Sequence, residues 1–593
     1  MSSLNIAQSI AFSGLSATQV QISVASANIS NADTKGYTDK TANQISNVTA
    51  GVGTGVTVTG ISSAVDKLLL KSLVGATSDL GAANTANNYL TQLEQLYGST
   101  SSASSSSTGT SLANSLAAFQ TALTSLASTP NNASLQSNAI AALDAVTTQL
   151  QNTSSGIQKL RANADKDIAS SVTDINSDLQ QISDLNAQIK QETAAGQSTA
   201  DLEDQRNSAV QDLAAMMNVS YFTASNGDLQ VYTSSGQALV DSTAHPLSYT
   251  PASSVTASTA YTPGSSSSGF SGITVNGVDI TSQITSGNVG ALITLRDQTL
   301  PNAQSQLDEL AQQLASSVNA VSNQGTAVPP PTSLTGATTV SSTTPLSATG
   351  TVRLAVVDQN GNLVSYQDIN LASYTNVGDL VDAINHGTSG VTASINANGR
   401  LMLTASGSGN GVSINEMTSS VGSGQGFSDY FGLNDLITGT NASSIAVRSD
   451  ILSGAAGLPT ATLDSSSSPS VGNSVLSSGS VTVLNALQGT LTGSTNFAMA
   501  GGLGATTASF SDYAASIVAN VASKATQASA TYAAKQTAQS TYASSLSSQS
   551  GVNIDEETAN LSTLQNKYTA ASELIQVINS MFSSLITALQ STG

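Results

Sequence analysis

Residues 561–589 read LSTLQNKYTAASELIQVINSMFSSLITAL. Leu561, Leu564, Tyr568, Ala571, Ile575, Ile578, Phe582, Leu585 and Leu589 recur at alternating steps of three and four. That spacing is the sequence form of a helix–helix seam. At the other end of the chain a looser seam runs through Leu4, Ala11, Leu15, Thr18, Ile22, Ala25 and Ile29. Neither end follows the usual pattern of a surface helix, which places charge on its outer face. From Met1 to Ala32, and again from Leu574 to Gly593, there is no Asp, Glu, Lys or Arg. Ser, Asn, Gln, Ala and Thr fill the outer faces instead. A polar but uncharged face suits contact with other protein chains, or a narrow wet lumen, better than open solvent. An apolar heptad stripe serves internal packing as well as subunit assembly; the missing charge favours assembly.

Charge is scarce throughout. Asp, Glu, Lys and Arg make up 9% of the 593 residues, against about 25% in ordinary domains. The balance of 36 acidic and 16 basic residues gives −20. No basic patch forms, which argues against nucleic acid as a partner. Apolar content of 39% allows large cores, and the length suits roughly four domains. The chain has no cysteine, so thiolate catalysis, disulfides and Cys-type zinc sites are excluded. No apolar run approaches the roughly 18 residues of a membrane span, and no membrane insertion is expected. The first residues lack the basic and unbroken apolar segments of a secretory signal. Export, if it occurs, is expected by a route that cleaves no such signal.

Three zones follow one another. Residues 1 to about 219 read as mainly helical, with a turn-rich break at 31–37 and a short extended piece at 51–58. A Ser/Thr/Gly loop follows at 99–110, and one long helix or two collinear ones at 134–193, interrupted only by Gly156. From about 220 to 505 the period changes. All four Asn-Gly pairs of the chain lie here, at 226–227, 276–277, 360–361 and 398–399. Each supplies the positive φ of a tight hairpin turn. A helix is expected at 301–321, and Pro329-Pro330-Pro331 marks a stiff linker. Residues 508–593 return to helix, with Asn553, Asp555 and Glu556 in a capping arrangement where the helix dipole favours acids.

Helices first, strands in the middle and helices last imply that the ends fold back on each other. The fold class expected is α+β and multidomain. The N- and C-terminal helices pair as a stalk or coiled coil, and mainly β insertion domains occupy the middle. The expected units are 1–40 with 550–593, 41–219 with 505–549, 220–328, and 329–504 with a helix-hairpin near 377–403.

Little in the chain points to catalysis. His245 and His386, the only histidines, read as a turn residue and a helix-end residue. Glycines 51–55 lack the Gly-Lys-Ser/Thr ending of a phosphate loop. The run from Asp358 to Asn362 lacks the later acidic ligands of a calcium loop and reads as a hairpin turn. Asp201, Glu203, Asp204 and Arg206 read as surface ion pairs on one helix. No catalytic residue, metal or cofactor is expected.

The turn after the first helix reads Asn28-Ile29-Ser30-Asn31-Ala32-Asp33-Thr34-Lys35-Gly36-Tyr37. It resembles the N-terminal signature of bacterial flagellar rod, hook and hook-associated proteins, an Asn-Ile-x-Asn run followed by Thr-x-Gly-Tyr. Asn28, Asn31, Thr34, Gly36 and Tyr37 match, and Lys35 stands where that family often has Pro. Asn553, Asp555 and Glu556, followed by Leu561, Leu564 and Tyr568, resemble the family's C-terminal motif. The stretches 201–207, 290–325 and 427–435 look like hook-associated members that join hook to filament. The segment 377–401 is similar to a helix-plus-hairpin motif of flagellins and filament-cap proteins.

The resemblance implies a homo-oligomeric helical tube whose innermost layer is the paired terminal helices. Subunit contacts would then run through Leu4, Leu15, Ile22, Ile29, Leu561, Leu564, Tyr568, Ile575, Ile578, Phe582, Leu585 and Leu589. It further implies hook protein and a second hook–filament junction protein as neighbours, an export chaperone at the C-terminal helix, and a place outside the cell in the flagellum. Another axial protein such as hook protein, and in a different class a Ser/Thr-rich surface adhesin, are the competing readings. A hydrolase acting on cell-wall material is a further rival.

Overall fold

The computed structural model describes residues 2–49, 51–98, 111–264 and 269–591. The loop expected at 99–110 lies outside these residues. Helix α1 (Ser2–Asn31) leads into a hairpin of β1 (Lys40–Thr49) and β2 (Val52–Ser63). Then come α2 (Lys67–Leu96), α3 (Leu112–Ser128), α4 (Ala133–Ala194) and α5 (Ala200–Met216). Short strands follow: β3 (Ser220–Thr223), β4 (Leu229–Tyr232), β5 (Ala238–Val240), β6 (Leu247–Ser248), β7 (Thr274–Val275) and β8 (Val278–Asp279). A continuous helical stretch is made of α6 (Gly287–Thr294), a wider π turn (Leu295–Thr299) and α7 (Leu300–Ser322).

The next part holds β9 (Ser333–Thr339), β10 (Ala348–Thr349), β11 (Thr351–Val357), β12 (Leu363–Asn370), α8 (Val377–Asn385), β13 (Val391–Ile395), β14 (Arg400–Ala405), β15 (Gly411–Asn415), β16 (Ser420–Val421) and α9 (Phe427–Phe431). The chain returns through β17 (Ile437–Thr438), β18 (Ala446–Val447), α10 (Ser449–Leu452), α11 (Thr482–Thr492), β19 (Thr495–Phe497) and β20 (Thr506–Ala508). It ends in α12 (Phe510–Ser550) and α13 (Ile554–Ser591).

The mixed α+β class agrees with the sequence expectation, and α1 packs against α13. The spine is α4, 62 residues long and so about 93 Å. It starts where the Asn132 side chain accepts from the N–H groups of Ser134 and Leu135, satisfying donors that a helix start leaves free. Ile157, Ala164, Ile168, Ile175, Leu179 and Ile182 are buried along one stripe. Gly156 does not break the helix. A Cβ there would lie 2.7 Å from Leu96 Cδ2, so the missing side chain lets α2 approach. Around α4, one apolar core gathers residues of α2, α3, α5, α6, α7, α11 and α12, together with Leu229, Val231 and Val275 from the small strands. Both halves of the chain contribute to it.

All four Asn-Gly pairs sit in hairpin turns: between β3 and β4, β7 and β8, β11 and β12, and β13 and β14. Gly227, Gly277, Gly361 and Gly399 all have φ between 71° and 88°, the region glycine enters without strain. At the second turn Asn276 is also left-handed, at φ 51°.

A second core fills the space between the sheets β12–β11–β15 and β13–β14–β9, closed by α8 and α9. Strand β11 is buried on both faces. Val352, Leu354 and Val356 face this core, and Ala355 and Val357 face a small third one with Ala461 and Leu463. Two residues before Ala355 on the same side of the strand sits Arg353, which forks onto Asp368 at 2.7 and 2.8 Å and donates to the carbonyls of Asp464 and Ser466.

The π turn places Arg296 and Asp297 side by side against α4. Arg296, fully buried, donates to Asp165 at 3.1 Å and to both oxygens of Asp297 at 2.8 and 2.9 Å. Asp165 also accepts from Ala252 N–H and from the Tyr249 hydroxyl. Arg161, one turn earlier, donates to the Arg296 carbonyl and to those of Thr256 and Thr259. Removing one member of such a group leaves another charge buried without its partner. Asp165→Ala is expected to cost about 3–5 kcal/mol in urea unfolding. A second site responds to pH. Asp178 on α4 has its carboxyl pushed up to about 6 by burial, with Asp212 and Asp174 adding repulsion. A raised carboxyl costs stability as pH rises from its unfolded value of 3.8, and the cost is complete above its folded value of about 6, so Asp178→Asn should raise Tm at about pH 8 and change it little near pH 4.

Candidate functional site at the paired ends

Helices α1 and α13 run antiparallel. Gln8 Nε2 lies 3.4 Å from Asn579 Oδ1 near one end. At the other end Asn28 sits beside the first turn of α13, where Glu557 feels it and Asp39. The predicted seam residues divide by place. Leu564 and Ile578 are buried. Leu561, Ile575 and Phe582, and on α1 Leu4, Leu15, Ile22 and Ile29, are half-buried. Tyr568 and Leu585 are exposed. The side chain of Leu589 lies outside the described residues. Within one chain, therefore, much of the seam is contact between its own ends. Sequence reasoning missed a second stripe on the far side of α13: Leu574, Val577, Met581 and Ile586 are all exposed. Its signal was present, because these positions also repeat at helical spacing, offset from the first seam.

The turn motif is a clasp. Asn28 is fully buried. Its Nδ2 donates to Asp39 Oδ1 at 2.7 Å and to the Lys40 carbonyl at 2.9 Å. Its Oδ1 accepts from Lys40 N–H at 3.2 Å and from the Tyr37 hydroxyl at 3.0 Å. Both donors and both acceptor positions of the amide are thus used. Asn31 and Thr34 shape the turn itself: Thr34 N–H donates to the Asn31 carbonyl at 2.9 Å, and Tyr37 N–H to that of Thr34 at 3.1 Å. Gly36 has φ 81°, and a Cβ there would lie 2.4 Å from Ser208 Oγ. The positive φ favours glycine, and a side chain there would also have to displace the Ser208 hydroxyl. Lys35, the departure from the family signature, points outward and lies 3.7 Å from Asp212.

The clasp grips α5. Asp204 accepts from Thr38 N–H at 3.0 Å, Thr38 Oγ1 at 2.7 Å and Lys40 Nζ at 3.0 Å. Lys40 also meets Asp201 at 2.8 Å and lies 3.3 Å above the centre of the Tyr37 ring. Burial works to lower the Lys40 pKa, and the hydrogen bonds that its ammonium donates to Asp201 and Asp204 more than offset it, leaving it raised. The expectation of surface ion pairs at 201–206 is corrected here. Asp204 and Arg206 are buried, and Arg206 reaches Asn186 Oδ1 and the Gly227 carbonyl. The helix pattern could not reveal partners that come from residues 38, 40 and 227.

The C-terminal motif closes the same joint. Asn553 Oδ1 accepts from the N–H groups of Asp555 and Glu556 at 3.2 and 3.4 Å, which starts α13. Buried Ser550, the last residue of α12, accepts from Asp39 N–H at its carbonyl and from Asp66 N–H at its hydroxyl. Every passage of chain between the paired ends and the long-helix body thus meets around one node. One strained feature remains in it. Glu557 is raised by burial first and then by Asp39, and one of its buried oxygens has no hydrogen-bond partner among the described residues. Asp39 is raised by burial and by Glu556.

The histidines take no part. His245 bridges to Asp241 in a turn at 3.0 Å, and His386 caps α8. Among the described residues no group of three His, Cys, Asp or Glu could hold a metal, and no helix is long and apolar enough to cross a membrane.

Several protein families match the chain in sequence. The model of the flagellar hook-associated protein FlgK helical domain matches residues 85–332, and that of the flagellin hook IN motif matches 351–407. The flagella basal body rod protein model matches 9–38, and the C-terminal model of the rod and hook proteins FlgEFG matches 543–588. Flagellar hook-associated protein 1 of Escherichia coli K12 is 26% identical over 97% of this chain and 98% of its own length. Over nearly its whole length the chain is similar to flagellar hook-associated protein 1. Flagellar hook-associated protein 1 of Salmonella typhimurium is 27% identical over 53% of this chain; that match spans 56% of the relative's length. A solved structure of the flagellar hook junction protein FlgK from Burkholderia pseudomallei aligns with 80% of this chain at 18% identity and a TM-score of 0.45. The family models at 9–38 and 543–588 fall on the two strands of the clasp, α1 with its turn and α13.

The raised carboxyls of Asp39 and Glu557 give the clasp a pH dependence. Both bind protons more tightly folded than unfolded. They therefore weaken the joint above their raised values, and the penalty fades as pH falls through those values toward the ordinary 3.8 and 4.5. Protease cleavage of α13 should slow between about pH 7.5 and about pH 5. The Glu557→Gln variant should be slow to cleave at both.

Proposed function

We propose that this chain is a structural component of the bacterial flagellum, and that it joins hook to filament by self-assembly of its terminal helices. The observation that carries this reading is the pair α1–α13: free of charge from residue 2 to 32 and from 574 to 591, joined by its own seam, and still exposing an apolar stripe. A surface of this kind gains about 1.5–3 kcal/mol for each Leu or Ile it buries, and many copies multiply that gain.

In this reading the subunit contacts run through the predicted seam residues that remain open, Tyr568 and Leu585 among them. The working division is an assembly unit (1–40 with 550–593), a long-helix unit (41–219 with 505–549), and two strand-bearing units (220–328 and 329–504). The neighbours are hook protein on one side and a second junction protein on the other. An export chaperone holds the C-terminal helix before assembly, and the assembled chain lies outside the cell, in the flagellum. The work is mechanical, and no residue acts as a catalyst.

Another axial protein such as hook protein is the second reading, favoured by the rod and hook models at the two ends. A labelled antibody separates them, by a narrow band at the joint or staining along the whole hook. Cells lacking the gene should carry hooks without filaments; motile, filamented cells would instead favour a surface adhesin. In such cells, Phe582→Asp should fail to restore filaments while its circular dichroism and urea midpoint for the central core stay unchanged. Normal incorporation of that variant would remove the seam from the interface.

A further inference from the structure

The four Asn-Gly turns have the same residues and the same exposed asparagine, but they differ in chemistry. When glycine follows asparagine, no Cβ obstructs the approach of its backbone nitrogen to the carbon of the side-chain amide. At three of the turns that nitrogen is engaged. Gly227 N–H donates to the Ala224 carbonyl at 3.0 Å, Gly361 N–H to that of Asp358 at 3.1 Å, and Gly399 N–H to that of Asn396 at 2.9 Å. The remaining turn, Asn276-Gly277, is closed by the Val275–Val278 pair. Among the described residues Gly277 N–H has no hydrogen-bond acceptor. A Cβ on Gly277 would meet nothing within 4 Å, and both turn residues are open to water.

This turn alone has a free imidazole edge against it. The pairing of Leu247 with Val275 carries on to bring His245 level with Gly277. His245 Nδ1 lies 3.3 Å from Asn276 Nδ2, and its Nε2 lies 3.0 Å from Asp241 Oδ2. Both partners are held in place: Asp241 Oδ1 accepts from Thr243 N–H at 3.0 Å, and His245 N–H donates to the Leu239 carbonyl at 2.8 Å. The hydrogen bond from His245, followed by that from Thr243 N–H, keeps the Asp241 carboxyl down at about 2. Ionised Asp241 keeps a proton on Nε2 and leaves the Nδ1 lone pair facing Asn276. A carboxylate that sets the tautomer of an imidazole beside a reacting group makes a proton relay. The other histidine, His386, has its Nδ1 against the Asp382 carbonyl at 2.7 Å.

We propose that Asn276 is a self-modification site, at which Gly277 nitrogen closes on the side-chain amide and His245, oriented by Asp241, relays the proton. A bond forms between Gly277 nitrogen and Asn276 Cγ while His245 Nδ1 takes the N–H proton. His245 returns a proton to Asn276 Nδ2, the Cγ–Nδ2 bond breaks, and ammonia leaves behind a cyclic imide. Water opens the ring to aspartate, or to the isomer whose main chain runs through Cγ. Nothing is oxidised or reduced, and water is the sole co-reactant. The event happens once per chain, without turnover. Aspartate sets a second carboxylate beside His245. The isomer adds a carbon to the main chain at a turn that the short β7–β8 ladder fits without it. Either product marks the age of the chain irreversibly.

The full-length folded protein is aged in neutral buffer and digested, and each Asn-Gly peptide is weighed for conversion of amide to acid. Asn276 should convert ahead of Asn226, Asn360 and Asn398, and in urea that lead should vanish. His245→Gln, which can hydrogen-bond but relays no proton, should slow Asn276 about tenfold or more and leave the other sites unchanged. A histidine that only braces the turn predicts the opposite sign, because a freed turn closes faster. Asp241→Ala should slow Asn276 less, and the ring NMR signals of labelled His245 should lose their single tautomer, which loss of packing alone does not cause. Should a variant unfold, its other Asn-Gly sites will speed up to their urea rates, and the ranking in the unaltered chain then decides. Equal rates at all Asn-Gly sites of the folded chain, or an Asn276 rate unchanged or raised in folded His245→Gln, would overturn the proposal.

Discussion

The structure depends on burying two apolar stripes that run through α1 and the end of α13 with no charge beside them. An isolated amphipathic helix is marginal in water, and neither α1 nor residues 574–591 of α13 can draw on surface ion pairs. They obtain a partner from each other, across more than five hundred residues of sequence. The outcome is an end unit whose inner seam is satisfied within the chain and whose outer faces are not. Everything between the ends must bring them together at one place, and the clasp around Asn28 is where this happens.

That clasp converts a short motif into a mechanical joint. Asn28 fixes the direction in which the chain leaves α1, because its amide is saturated by backbone and side-chain partners from residues 37 to 40. Thr38 and Lys40 carry the connection to α5 through Asp204, and Ser550 carries it to α2 and α12. The end unit is therefore anchored to the long-helix body by buried hydrogen bonds, not by a flexible linker. Asp204 lies on α5, which packs directly against α4.

Much of this was legible in the sequence, for identifiable reasons. The long stripe from Leu143 to Ile189 and the two terminal seams are periodic over many turns, and long periodic signals survive tertiary context. The Asn-Gly turns were legible because the backbone itself demands those residues. Strand β1 was not. Its sequence, Lys40 to Thr49, is mostly polar with Ala42, Ile45 and Val48 as its apolar residues, and only pairing with β2 makes it a strand. The helical stretch before Pro301 was hidden as well, because Arg296 and Asp297 look like solvent residues until Asp165 and Tyr249 surround them. Within the candidate site, the motif residues were visible as a pattern, but their chemistry was not. Asp204 looked like one acid among several on a helix, and only the fold supplies Thr38 and Lys40.

The separation of α1 from its partner has a temporal consequence. A chain made from its N-terminus holds α1 for the whole of synthesis before α13 exists. The core between the two small sheets, drawn from residues 334–433, can form earlier, while the core around α4 waits for α12. The paired end is completed only by α13, so a polypeptide not yet carrying that helix lacks the surface that the pair presents. Topology alone thus acts as a timer on stickiness.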